Sequence, residues 1–597
     1  MMGRRAMSKK RIEDTILESF RKYNNKPSRI LIGMFHGNYY RFALSGFFYI
    51  IKHSPAWVMP IVISNIVNAV IYESVNPQET IIYNALLIAF LVLLNIPMNY
   101  LHIHFSSTAV RAVEGGLRSA LINKLQQLSI RFHNNIQSGR IQSKVIRDVE
   151  AVQMLSSQIF VNLLNITLNI SIALVITAVK NKMVFLFFLL TIPVASLTIV
   201  FFRKRIRQQN HLFRKEVEST SAHVMDMEEM IPVTKAHGLE KLEMRRMKEI
   251  VEKVSEEGYR LDIIQANFGS VSWAIFQLFQ IGALVFTGFM VLRGRIPGGD
   301  IVLYQSYFTT IVAQVSSLIM LLPTIAKGLE SIRSIAEVLN DDDTEDNAGK
   351  LIVEGVKGEF VFEDVHFKYT SSDEHVLRGI NLNVKQGETI AFVGESGAGK
   401  STIMNLLIGF ELPTQGSITV DGVPIESINL RTYRKHIAVV PQQTILFSGS
   451  IEENITYGMK SVTKDKVNWA VKAANLETLI QELPFGLDTK IGEHGNKLSG
   501  GQRQRIAIAR ALIRDPKVIL FDEATSALDS VSESLIVEAM GQLVKGRTTF
   551  MVAHRLSTIR GADKICVLDH GEIIEYGSYE ELMAKKGAFY HIKSLQS

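Results

Sequence analysis

Cysteine is almost absent from this chain: Cys566 is the only one among 597 residues. A solitary cysteine excludes an intrachain disulfide framework and any CxxC metal or redox pair. Its place in the apolar run 565–568 suits a strand core better than a reactive thiol. Charge is missing where apolar residues gather, since segments 184–202 and 268–292 contain no Asp, Glu, Lys or Arg. The low hydrophobicity that keeps chains disordered is lacking too, because 47% of the residues are hydrophobic. The first 38 residues hold no uninterrupted apolar core of signal-peptide length, so no cleaved signal is expected.

What is present divides the chain into two physical environments. Blocks at 42–71, 81–105, 155–179, 183–202, 265–292 and 299–325 match the roughly 20 helical residues needed to cross a ~30 Å hydrocarbon core. They predict six spanning helices. Ahead of them, residues 1–38 are basic and amphipathic, with Ile12, Ile16, Leu17 and Phe20 on one helical face. The stretch 30–35, followed by Tyr39 and Tyr40, reads as an interfacial helix with an aromatic anchor feeding the first span.

The net charge of +7 is compatible with a nucleic acid or with an anionic membrane face. Its distribution decides between them. Lys and Arg number ten before residue 42, seven in 106–150 and thirteen in 203–260, against four in the alternate loops, namely Lys180, Lys182, Arg293 and Arg295. The positive-inside rule then puts both termini in the cytoplasm, and no charge remains to argue for nucleic acid. The connections 106–150 and 203–260 keep helical apolar spacing, so the helices continue beyond the membrane. Turns are expected near 133–135, at 138–139 and around 230–232.

Polar residues inside or just below the spans include Lys52, His53, Asn95, Asn99, His102, His104, Asn162, Asn165, Asn169, Gln305 and Gln314. The amides suit helix–helix hydrogen bonds. Lys52 is expected to line a cavity, because a charge within a span must face water or a counter-charge, and Pro55 and Pro60 nearby can bend its helix.

The acidic run 341–346 and the following Asn347-Ala348-Gly349 read as a solvated linker. Beyond it, short β-rich runs at 360–362, 389–393, 437–440, 518–521 and 548–552 alternate with helical stretches, as in an α/β domain with a largely parallel sheet. The expected divisions are a cytoplasmic segment with an interfacial helix (1–38), a membrane domain (39–335), a linker (336–357) and an α/β domain (358–597). The fold class is an all-α six-helix transmembrane domain followed by an α/β P-loop domain.

The strand at 389–393 runs into Gly394-Glu395-Ser396-Gly397-Ala398-Gly399-Lys400-Ser401-Thr402 and then a helix. This is a complete GxxxxGK[ST] phosphate loop in its strand–loop–helix context. The glycines let backbone N–H groups curl around phosphate oxygens, Lys400 neutralises the β/γ oxygens, and the Ser401 hydroxyl can ligate Mg²⁺. The apolar run 518–521 ends in Asp522, suited to Mg²⁺, and Glu523, placed to polarise an attacking water. Ser499, Gly500, Gly501 and Gln502 open another helix and offer a second anion site.

With these motifs in place the chain resembles the ATP-binding cassette family, specifically exporter half-transporters with six spans fused ahead of one nucleotide-binding domain. The resemblance covers nearly everything after residue 30. It implies that each ATP, with Mg²⁺, lies between the phosphate loop of one protomer and residues 499–502 of the other. It further implies that Tyr369 stacks on adenine and that Gln442 reaches Mg²⁺ and senses the membrane domain. In the same terms Asp529, closing the loop 526–529, crosses the dimer seam, His554 contacts the γ-phosphate, and Glu493 contacts the membrane helices. Every catalytic element is intact, which favours a homodimer.

The resemblance also implies an ATP-driven exporter or flippase that works by alternating access in the bacterial inner (plasma) membrane. Drugs, lipids and peptides all fit its cavity of apolar residues and scattered amides. The chain has no N-terminal segment long enough for a protease, which weakens a self-processing peptide exporter. An ATP-gated channel or regulator would use the same cassette. A soluble DNA-organising ATPase shares the motifs, but six spans argue against it.

Overall fold

The computed structural model describes residues 2–24, 26–72, 76–136, 138–369, 372–459, 461–492, 495, 497–522, 530–553 and 559–594. The described residues fall into two compact units. The first comprises Met1–Gln127 and Ile136–Asp342, and the second Leu128–Asn135 and Asp343–Ser597.

The first unit is helical. An amphipathic helix, Met2–Tyr23, buries Ile16 and Phe20, and a shorter one, Pro27–Met34, buries Ile30, Leu31 and Met34. Long helices follow at Tyr39–Ile71, Pro77–Leu125, Lys182–Ala236, Glu240–Leu292 and Asp300–Leu339. Another runs over Gly139–Lys180 and carries π-helical turns at Lys144–Asp148 and Ile159–Leu163. Among the described residues five helices are long and apolar enough to cross a membrane. The expected fourth span lies in Lys182–Ala236, where the side chains of 191, 192 and 194–200 are outside the described set.

The helices outrun a bilayer as expected: Pro77–Leu125, with 49 residues, is about 73 Å long at 1.5 Å per residue. One expected turn is misplaced. The helix passes through Met230, Ile231 and Pro232 and stops at His237 and Gly238. Proline's fixed φ is itself helical and does not stop a helix by itself. Gly238, at φ +65°, supplies the left-handed residue that lets the Leu239 amide close on the Thr234 carbonyl at 2.9 Å. Buried polar groups tie the spans laterally. Tyr49 donates to Asn165, Trp57 Nε1 donates to Asn169 Oδ1 at 2.7 Å, and Asn95 donates to the Lys52 carbonyl at 2.7 Å.

The second unit is α/β with two principal sheets. Its strands in chain order are β1 Phe360–Phe367, β2 Leu377–Val384, β3 Thr389–Gly394, β4 Gln415–Val420, β5 Val423–Pro424, β6 Ile437–Val440, β7 Gly449–Ser450, β8 Lys490–Ile491, β9 Val518–Asp522, β10 Thr548–Val552, β11 Lys564–Asp569 and β12 Glu572–Gly577. The larger sheet has the order β12-β11-β3-β10-β9-β6, parallel throughout except for β12. Beside it stands an antiparallel sheet, β2-β1-β4-β5, and the run at 360–362, expected in the parallel sheet, belongs to this one.

Both faces of the parallel sheet are covered, which is why its strands read as unbroken apolar runs. Alternate residues of β3 feed different cores: Ile390 and Phe392 pack with the helix Lys400–Ile408 and the antiparallel sheet, Ala391 and Val393 with Ile506, Ile508 and Leu512. Cys566 lies in the first of these cores, wholly buried, and burial pushes its thiol pKa up, so it is inert.

Candidate functional site

Four parallel strands end at one edge of the large sheet. The register pairs Val552 of β10 with both Phe392 of β3 and Asp522 of β9, while Val440 of β6 pairs with Phe521. The phosphate loop after β3, Asp522 at the end of β9 and Gln442 just beyond β6 are therefore delivered to the same carboxyl edge. In open α/β sheets that edge is where ligands bind.

The loop between β3 and the helix Lys400–Ile408 depends on its glycines. A Cβ on Gly394 would stand 2.2 Å from the Leu568 carbonyl oxygen, and Gly399, at φ +101°, would bring one within 2.6 Å of Leu377. Only glycine satisfies both demands. Lys400 is 6% exposed, and its ammonium donates to the carbonyls of Gly394 and Glu395 at 2.8 and 2.7 Å. It thus lies across the mouth of its own loop, held by carbonyls that a phosphate's charge outcompetes. Glu395, Ser396, Gly397 and Ser401 are exposed, whereas Ala398 and Thr402 are buried. Half-buried Tyr369 sets its hydroxyl 3.2 Å from Thr402 Oγ1, and its ring packs edge-on against Phe367. Tyr369 is thereby brought to the phosphate loop.

At the second helix start the motif caps itself. Ser499 Oγ accepts from the Gln502 amide at 3.2 Å, and Gln502 Oε1 accepts from the Ser499 amide at 2.8 Å. This capping box starts the helix Gly500–Ile513. Glu523, Asp529, His554 and Glu493 lie outside the described residues.

Several residues that no motif marks hold the site's loops. Gln504, 4% exposed, donates to the Pro441 carbonyl at 3.1 Å and accepts from Thr444, so the segment carrying Gln442 is fastened to the helix that begins at Gly500. Arg510 on the same helix donates to the Asn454 carbonyl at 2.8 Å and to the Ile445 carbonyl at 3.1 Å. Wholly buried Asn454 in turn donates to the carbonyls of Phe447 and Ser450, both at 3.0 Å. The only signal in the sequence was the placement of Gln504 and Arg510 on the buried face of a helix, where polar side chains need partners.

Ser401 hydroxyl, Gln442 amide and Asp522 carboxylate form a set of hard oxygen donors at one sheet edge, the kind that suits Mg²⁺. The donor chemistry therefore fits the ion.

Comparisons with known proteins match both units of the chain. The family model described as "ABC transporter transmembrane region" matches residues 42–315, and the one described as "ABC transporter" matches residues 377–526. An ATP-dependent lipid A-core flippase of Legionella pneumophila (strain Paris) is 35% identical over 81% of this chain and 82% of its own length. A Bacillus subtilis (strain 168) protein, provisionally named a multidrug export ATP-binding/permease protein, is 31% identical over 92% of this chain and 95% of its own. Among solved structures, a bacterial Atm1-family ABC exporter with ATP bound superposes with a TM-score of 0.81 at 26% identity, covering 93% of this chain and 98% of that one.

Proposed function

The chain belongs to the ABC transporter family and is an ATP-driven exporter, and on that premise we propose that it works as a homodimer moving an amphiphile outward across a bacterial inner membrane, with both termini cytoplasmic. The observation that carries the site assignment is the shared carboxyl edge of β3, β6, β9 and β10. The relatives named for lipid A-core and for multidrug export support an amphiphilic substrate.

In this reading Tyr369 receives adenine and the loop amides from Gly394 to Thr402 cradle the phosphates. Lys400 exchanges its carbonyl partners for phosphate oxygens. Residues 499–502 of the second protomer close the site, Asp529 lies at the seam, Glu523 polarises the attacking water and His554 contacts the γ-phosphate. Ser401, Gln442 and Asp522 would hold Mg²⁺, which when bound neutralises phosphate charge. Closure of two cassettes turns the membrane cavity outward, and hydrolysis resets it. One path for that coupling is covalent, since Leu128–Asn135 belongs to the second unit while the helices before and after it belong to the first.

The direct test is reconstitution in liposomes, with transport and ATPase stimulation followed for a drug, a lipid and a peptide. Uphill accumulation of one class distinguishes a pump from a gated channel, and passive equilibration alone refutes export.

A further inference from the structure

The six apolar blocks contain two charged side chains, Lys52 and Asp300. Asp300 is 4% exposed and already engaged: Lys180 Nζ lies 2.9 Å from its Oδ1, and Ser64 donates to the same oxygen at 2.6 Å. Ser64 stands twelve residues beyond Lys52 on the helix Tyr39–Ile71, about 18 Å along its axis at 1.5 Å per residue. Asp300 is therefore out of reach. Tyr40, at the other end, is also twelve residues and about 18 Å away, further than a lysine stem can extend to an interface.

Among the described residues no carboxylate pairs with Lys52. Its ammonium lies near the ring of Tyr49, with Nζ 5.8 Å from the centroid. Tyr49 begins an aromatic column along the same helix: its ring centroid is 4.1 Å from that of His53, which is 6.2 Å from that of Trp57. His102 of the next span closes on Tyr49 at 5.1 Å. These described neighbours offer apolar faces and potential cations, and no anion. A second copy of this chain brings the same spans, so a homodimer cannot supply the missing negative charge either.

A cation held in a span needs a counter-charge or water. We propose that the counter-charge arrives with the substrate: half-buried Lys52 receives the anionic group of an amphiphile, on a helix segment that the buried rings of Tyr49 and Trp57 hold against Asn165 and Asn169. The substrate class is then a negatively charged amphiphile. This deepens the export reading and rests on it.

The test uses the full chain in phosphatidylcholine vesicles, with ATP hydrolysis measured against added dioctanoyl phosphatidylglycerol, dioctanoyl phosphatidylcholine, decyltrimethylammonium or inorganic phosphate. Phosphatidylglycerol is expected to stimulate at a concentration about tenfold below the zwitterionic lipid. Lys52→Met removes that preference and Lys52→Arg, which keeps the charge, retains it. A preference unchanged in Lys52→Met overturns the proposal, as does equal stimulation by the cation, and either result leaves amphiphile export standing. Stimulation by inorganic phosphate alone overturns the requirement for an apolar part. Stimulation by none of the four, with basal hydrolysis intact, refutes the amphiphile reading and this proposal together.

Discussion

Gln504 donates to the Pro441 carbonyl at 3.1 Å, one residue before Gln442. The helix that begins with Gly500 and Gly501 thereby holds the segment after β6, and a displacement of either is felt by the other. Gln504→Leu keeps the side-chain volume and removes both hydrogen bonds, at a cost of about 1 kcal/mol because the half-buried Pro441 carbonyl and Thr444 hydroxyl lose a partner. We expect substrate-stimulated hydrolysis to fall several-fold more than basal hydrolysis. Equal loss of both would contradict a coupling role.

Glu523→Gln preserves shape and hydrogen bonding while removing the proposed water-polarising carboxylate. Steady-state ATP hydrolysis should fall by about 10²–10⁴-fold, with ATP binding retained in a nucleotide-trapping assay. Unchanged hydrolysis would sink this assignment.

Gly394→Ala puts a methyl group where the Leu568 carbonyl oxygen is 2.2 Å away. The clash is with backbone from the adjacent strand, β11, so it cannot be relieved by a rotamer change. The phosphate loop must shift, and nucleotide affinity should drop by at least about tenfold, one RT ln 10 step of 1.4 kcal/mol. Titration with a fluorescent ATP analogue measures it.

At the start of the last span, Asp300→Ala strands Lys180 and leaves the Ser64 hydroxyl without its acceptor. Breaking a buried pair costs roughly 3–5 kcal/mol, and with Lys180 32% exposed the lower end applies. The melting midpoint in detergent should fall by several degrees. Replacing both residues with leucine should recover at least half of the loss, since no lone charge then remains.

The linker carries a pH-sensitive tie. Burial alone would raise the Glu345 carboxyl, but hydrogen bonds from Asn347 and Arg434 outweigh it and hold the group below the usual carboxylate value. A folded-state pKa below the unfolded value of about 4.3 means that the tie contributes stability above that value and loses it as pH falls through the folded one. Amide exchange across 345–350 should therefore rise on acidification before β3 and β9 open. Arg434→Gln should abolish that difference.

The sequence showed the phosphate loop, the apolar strands and the spans clearly because each imposes a local pattern: glycine spacing, a doubly buried run, or about 20 uncharged residues. It concealed what depends on distant partners. The antiparallel sheet pairs β1 with both β2 and β4 through irregular registers that break any period-two signal. The roles of Gln504, Arg510 and Asn454 exist only once the loop from 441 to 454 is folded against their helix. The turn expected around 230–232 is found at Gly238: the helix continues through Pro232 and ends where a glycine takes a positive φ.

Leu128–Asn135 belongs to the second unit although it lies more than two hundred residues upstream of the rest. Its Arg131 stands 3.5 Å from Glu411, which is 9% exposed, and its Ser129 amide donates to the Asp343 carbonyl at 2.9 Å. The ATPase portion thus makes contacts that begin upstream of its own segment of chain. A fragment cut at residue 343 would leave Glu411 without Arg131 and the Asp343 carbonyl without the Ser129 amide. Grafting this cassette onto another membrane domain would require transplanting those eight upstream residues as well.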